Sequence, residues 1–245
     1  MTGTIIIPAR YAATRFPAKL LQDLCGKSVL QRTWEAASAS CASRVVIATD
    51  HSVIAQLAHG FGAEVVLTNE QHHSGSDRVC EAATRLGLAD DHLVVNLQGD
   101  EPLFSSKDIS LLLESMQDNP QIAMASMMHP LEDQEQFNSP NCVKVVVNHC
   151  SQALYFSRAG IPYRRNQGAS IAMLHQGIYG FRLALLQRFV ALPICALEQL
   201  EGLEQLRALY YGIAIHMVLS REPAFPGIDT PGDLEYARKV LERQQ

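Results

Sequence analysis

The chain opens with short apolar runs set between amphipathic stretches. "TIIIPA" (4–9), "RVVIATD" (44–50), "EVVLT" (64–68) and "HLVVNLQGD" (92–100) are continuous rather than alternating. Each therefore predicts a strand buried on both faces. Helical spacing fills 28–40, 51–62, 76–88 and 105–120. Asp50 or Ser52 is expected to cap the second of these helices, and Ser74 or Ser76 the third. Glycines in "HGFGAE" and "RLGLADD" mark helix ends that lead into the next strand. Repeated β-α-β units predict a mostly parallel sheet covered on both faces, with right-handed crossovers.

After about residue 120 the rhythm changes. "IAMASMM" and "CVKVVVNHCSQALYFSRAGIPY" predict antiparallel strands or a ribbon, and "HQGIYGFR" a further strand. "ALLQRFVALP" and "ALEQLEGLEQLRALYYG" read as helices, "IAIHMVLS" as a strand, and "TPGDLEYARKVLERQ" as a closing helix entered through proline. There is no internal repeat, low-complexity stretch or linker. The expectation is one domain over 1–245 with an inserted region at about 130–175.

At 245 residues and 47% hydrophobic, the chain has material for a sizeable core. A net charge of −5 gives no global field for nucleic acid or an anionic membrane surface, so polyanion binding would have to be local. Cys25, Cys41, Cys80, Cys142, Cys150 and Cys195 are scattered without a C-x-x-C pair, which predicts reduced thiols in a cytoplasmic protein. The apolar start is too short for a signal peptide, and no run approaches the roughly 20 residues that span a bilayer.

Chemistry is expected beyond the carboxyl ends of the strands. Arg10, Arg15 and Lys19 follow the first strand, interrupted by Pro17, and three cations there suit a polyphosphate. The segment is neither a Walker A loop nor a G-x-G-x-x-G fingerprint, and a cationic loop can also be merely solvated. "ATDHS" (48–52) and "NLQGDEP" (96–102) occupy two further strand ends. Asp100 and Glu101 can hold Mg²⁺, which takes few protein ligands, or can form an acidic turn. Asp229 in "GIDTPGDLEY" supplies a second carboxylate, or a helix cap. "HHSGSDR" (72–78) has the small residues of an anion or base pocket at a helix start; His72 and His73 lack a third metal ligand and read as surface residues. Two separated carboxylates and a cationic loop form a nucleotidyl-transfer constellation.

In order along nearly the whole chain, these stretches resemble the 3-deoxy-manno-octulosonate (Kdo) cytidylyltransferases. "IIPARYAATRFPAKLL" is similar to I-P-A-R-x-x-S-T-R-L-P-G-K-P-L, and "IATD", "HHSGSDR", "NLQGDEP", "ALYFSR", "GIYGFR", "LEQLR" and "IDTPGDL" follow in register. The resemblance implies a three-layer αβα, nucleotide-diphospho-sugar-transferase-like (Rossmann-like) fold with an inserted antiparallel dimerisation region, and a homodimer. It implies a reaction in which Kdo attacks the α-phosphorus of CTP, giving CMP-Kdo for lipopolysaccharide synthesis and pyrophosphate. Carried over by position, Arg10 and Lys19 bind the triphosphate with Arg15 close by. Ser74, Gly75, Arg78 and Gln98 surround the cytidine, and Asp100 and Asp229 hold Mg²⁺. Arg158, His175, Tyr179, Glu204 and Gln205 line the sugar-acid pocket.

Read without the family, Tyr179 and His175 fit a core, Arg158 the close of a strand edge, and Glu204 with Gln205 a solvated helix face. The chain departs from the pattern at Ala13, Ala18, Leu20, Ser76 and Asp77, and its segment 162–177 is short beside the family's variable loop. If position 18 needs a positive φ, alanine there costs on the order of 1 kcal/mol. Another sugar acid, sialic-type or 8-amino-Kdo, and a catalytically silent nucleotide-binding homologue are the rival expectations.

Overall fold

The structure, a computed structural model, describes residues 3–11, 16–131, 133–165 and 172–243. The first strand, Thr4–Ala9 (β1), is buried at all six positions. A 3-10 turn at Lys19–Leu21 and a small hairpin, Asp23–Leu24 (β2) against Lys27–Ser28 (β3), lead into Val29–Ser38 (α1). Strands and helices then alternate: Arg44–Thr49 (β4), Ser52–Gly60 (α2), Glu64–Leu67 (β5), Gly75–Arg85 (α3), Leu93–Asn96 (β6) and Ser106–Asp118 (α4). Met124–Leu131 (β7), Gln134–Asn138 (α5), Lys144–Val147 (β8), Ala153–Ser157 (β9) and Ala172–Arg182 (β10) follow. Leu183–Val190 (α6), Ala196–Glu201 (α7), Gln205–Tyr210 (α8), His216–Leu219 (β11) and Pro231–Glu242 (α9) complete the order.

Among the described residues, nine strands form one sheet, whose main path runs β11-β7-β10-β6-β1-β4-β5. β1 pairs parallel with β4 and β6, β4 with β5, and β7 with β11; β10 runs antiparallel between β6 and β7. The period of two along β1 sorts its side chains between two cores. Ile5 and Ile7 pack with α1, α2, α4 and α9 on one face. Ile6 packs with α3, α6 and α8 on the other. The result is the expected three-layer αβα arrangement. The expected ribbon is present as β8 and β9, and it is stitched to the main sheet through Met173 opposite Val145 and Leu174 opposite Lys144.

Three local expectations need correction or sharpening. Neither Asp50 nor Ser52 caps α2: the helix starts at Ser52, so His51 takes the cap position and its ring accepts from the Val53 N–H at 3.3 Å. Ser74 does cap α3, in a reciprocal box with Asp77. The single helix read over 196–212 is two short ones, since Gly202 sits at φ +61° and turns the chain between α7 and α8. Ala18 adopts φ +52°, so the condition under which alanine there is costly is met.

Candidate active site

The carboxyl ends of β1 and β6 and the start of α3 enclose a cleft of about 160 Å³. Pro8 and Arg10 come from β1 and the turn after it, and Lys19 and Leu20 from the 3-10 turn. Ser74, Gly75 and Arg78 lie on α3, and Gln98, Gly99 and Asp100 follow β6. The Ile228 N–H donates to the Asp100 carbonyl at 2.8 Å, which brings the segment ahead of α9 alongside. Lys19 Nζ donates to both acids, to Asp100 Oδ2 and, at 2.9 Å, to Asp229 Oδ1. Burial opposes the charge on Lys19, but the two carboxylates outweigh it and hold its pKa above the ordinary value. Glu101 lies beside them. Burial, with the charges of Asp100 and Asp229, pushes its carboxyl up to about 8 against the opposing pull of Lys19. A Cβ at Gly227 would stand 2.8 Å from Glu101 Oε1, so a larger residue there would require the Glu101 carboxylate to shift.

The α3 wall is close-fitting. A Cβ at Gly75 would lie 2.9 Å from Gln98 Nε2 and 3.4 Å from Pro8 Cγ. Gln98 Nε2 itself donates to Asn96 Oδ1 at 3.0 Å, which orients its amide. Free N–H groups at the start of α3 and the positive end of its dipole suit an anion. Arg78 reaches back from α3 to Asp50 and Thr68 while lining the cleft. Arg15 lies outside the described residues.

The sugar-acid candidates are brought together only in part. Glu204 Oε2 accepts from Ser76 Oγ at 2.8 Å, and its Oε1 pairs with Arg207 at 3.1 Å. Burial raises its pKa against those partners. Gln205, next along, is buried. Tyr179 on β10 is held well above its usual pKa by burial and by Glu204. Its ring lies 5.5 Å from that of His175, whose Nε2 is 2.9 Å from Ser126 Oγ and whose pKa burial pushes down to about 3. Arg158 differs. Its Nε, Nη1 and Nη2 donate to the carbonyls of Glu201, Pro140 and Gly202, so the guanidinium clamps backbone in this structure.

Asp50 and Thr68, through Arg78, and Ser76, through Glu204, hold residues of the site without having been singled out for binding. Ser76 was visible as the neighbour of Ser74, and Asp50 as part of "ATDHS" at a strand end, but their partners lie on other elements. His72 and His73, expected as surface residues, both line the cleft, and His72 pairs with Glu81.

The donor set at Asp100 and Asp229 fits Mg²⁺. Two carboxylates converge on one ammonium, and hard oxygen donors with room for phosphate and water are what that ion takes. Among the described residues no group of three or more His, Cys, Asp or Glu could hold a metal.

Known proteins resemble this chain over most of its length. The cytidylyltransferase family matches residues 4–215. A protein named 3-deoxy-manno-octulosonate cytidylyltransferase from Pasteurella multocida (strain Pm70) is 42% identical over 255 residues, covering 98% of this chain and 98% of that one. One of the same name from Pseudomonas fluorescens is 44% identical over 248 residues, again covering 98% of each. The solved structure of CMP:2-keto-3-deoxy-manno-octonic acid synthetase complexed with CTP superposes with a TM-score of 0.94 at 38% identity, over 100% of both chains. A cytidylyltransferase from Leptospira borgpetersenii, at 17% identity and a TM-score of 0.66 over 99% of this chain and 88% of that one, shares the fold.

Proposed function

The chain belongs to the cytidylyltransferase family, within its 3-deoxy-manno-octulosonate branch, and we propose that it joins CTP and Kdo to give CMP-Kdo and pyrophosphate. One observation carries this reading: Lys19 is held between Asp100 and Asp229 at a cleft whose facing wall is the N-terminus of α3.

The demands of the reaction match these residues. An acidic sugar has to approach an anionic triphosphate, and Arg10 and Lys19 supply the charge that offsets the repulsion. Ser74, Gly75 and Gln98 form the close-fitting wall for the nucleoside end. Glu204, bonded to Ser76 and close enough for its charge to raise the Tyr179 pKa, offers with Tyr179 polar groups suited to a polyhydroxylated acid. The sugar's anomeric oxygen loses its proton to water and forms a bond to the α-phosphorus as the bond to the β-phosphate oxygen breaks, and that electron pair leaves on pyrophosphate. Asp100 and Asp229 would hold Mg²⁺, which when bound favours ionisation of the attacking hydroxyl and offsets phosphate charge. The role of Lys19 is to keep the two acids together and to present a cation to the leaving phosphates.

The same reading includes a homodimer in a reducing compartment. Ile194 and Leu200, flanking and within α7, are 61% and 83% exposed, and Leu154 on β9 is 58% exposed; apolar side chains so placed suit burial against a second copy. All six cysteines are unpaired thiols, in keeping with the cytoplasm. No described helix is long and apolar enough to cross a membrane.

The test is pyrophosphate release with CTP, Mg²⁺ and Kdo, with UTP, a sialic acid and EDTA as separate arms. Release with CTP and Kdo, abolished by EDTA, is expected. Release with the sialic acid alone would move the substrate, and silence in every arm would sink the catalytic reading.

A further inference from the structure

The strand-end motif "ATDHS" has no part in the reading above, yet it meets the cleft at two points. Asp50 Oδ2 accepts from Arg78 Nη2 at 2.6 Å, and the Arg78 side chain is only 5% exposed. Thr68, just past β5, accepts from Arg78 Nη1 at 2.6 Å, with the Asn69 carbonyl at 3.5 Å. One residue on, the His51 ring stacks on Tyr11, the neighbour of Arg10, at 4.1 Å between centroids. The turn carrying both is itself fixed, since the His51 N–H donates to Thr49 Oγ1 at 3.2 Å.

We propose that Asp50 is a positioning residue for nucleotide binding, acting by holding the Arg78 guanidinium at the wall of the CTP cleft. The inference rests on the cleft being the nucleotide site. A guanidinium carries five donors on a long, flexible stem, and without partners it would spread over many rotamers. Asp50 and Thr68 each occupy one arm of the fork, which fixes its plane. Arg78 lines the same cleft as Gly75 and Gln98, and a guanidinium fixed in plane suits a ligand rich in acceptors. A charged partner is suited to the task because a charge-assisted bond is about twice as strong as a neutral one.

The experiment compares wild type with Asp50→Asn and Thr68→Val, reading CTP binding by calorimetry, KM for CTP and for the sugar acid separately, kcat, and thermal unfolding. Asp50→Asn keeps shape and removes charge. It should weaken CTP binding and raise KM for CTP about 10-fold while kcat and the KM for the sugar acid move less than about 3-fold. Thr68→Val should show the same pattern at about 3-fold. A purely structural role would instead lower the unfolding midpoint and alter every constant together, and that result overturns the proposal. CTP affinity equal to wild type in Asp50→Asn overturns it as well, with the proposed function untouched. Should Asp50→Asn fail to fold, unchanged CTP affinity in Thr68→Val decides against it. A wild-type chain that binds no CTP defeats the proposed function, and this inference with it.

Discussion

Lys19 Nζ donates to Asp229 Oδ1 at 2.9 Å although 210 positions separate the two residues, and the same ammonium donates to Asp100. One lysine thus ties the turn after β1, the loop after β6 and the entry to α9 into a single charged centre. The two acids would repel each other without it.

Replacing Lys19 by methionine should therefore cost more in turnover than in folding. Loss of one preorganised cation at developing phosphate charge corresponds to about 100- to 1,000-fold in kcat. Pyrophosphate release measures this, and far-UV dichroism checks the fold. Turnover within 10-fold of wild type would show that the lysine is only a tether.

Ala18→Gly should stabilise the protein. A left-handed residue with a Cβ costs roughly 1–2 kcal/mol, and the extra freedom of glycine in the unfolded chain returns roughly 0.5–1 kcal/mol of that. The net gain is about 0.5–1 kcal/mol, seen as a rise of about 1–4 °C in the unfolding midpoint for a chain of this length. A lower midpoint would mean that the turn is not strained.

Gly75→Ala should weaken CTP binding with little effect on stability. The new methyl meets the end of the Gln98 side chain at 2.9 Å, and that amide can swing away, but only by giving up Asn96. A rise of about 10-fold in KM for CTP is expected. An unchanged KM would show that the orientation of Gln98 does not matter to the nucleotide.

His175 couples stability to pH. It is neutral in the folded protein down to about 3, whereas in the unfolded chain it takes up a proton near 6.5. Between those values the unfolded state binds more protons, so stability rises with pH and is lost on acidification from about 6.5 toward 3. The slope from this group is at most about 1.4 kcal/mol per pH unit. His92, His129 and His216 are also lowered by burial and act in the same direction. His175→Gln should accordingly shrink, not abolish, the difference in urea midpoint between pH 7 and pH 5. An undiminished difference would rule out His175 as the source.

The alternation of buried strands and amphipathic helices was legible because each follows from a local period. The continuous apolar run "TIIIPA" predicts a strand buried on both faces, and the small polar residues Ser74 and Ser76 mark the start of α3, where the structure chooses Ser74. Family-like motifs at Arg10, Lys19, Asp100 and Asp229 could be read because their order along the chain is itself the pattern. Reach and register were not legible. Gly202 is visible as a glycine, but that it breaks the 196–212 helix depends on Leu203 and Leu206 both packing into the core beneath α8. That Arg158 clamps backbone, that Asp50 turns from α2 toward Arg78, and that Ser76 meets Glu204 across 128 positions are all choices among partners. The chain by itself determined its elements, its charge and the identity of its reactive groups, because these depend on neighbours a few residues apart. Only the tertiary structure decided which group holds which, because burial forces each polar atom to take whatever partner the packing brings within about 3 Å.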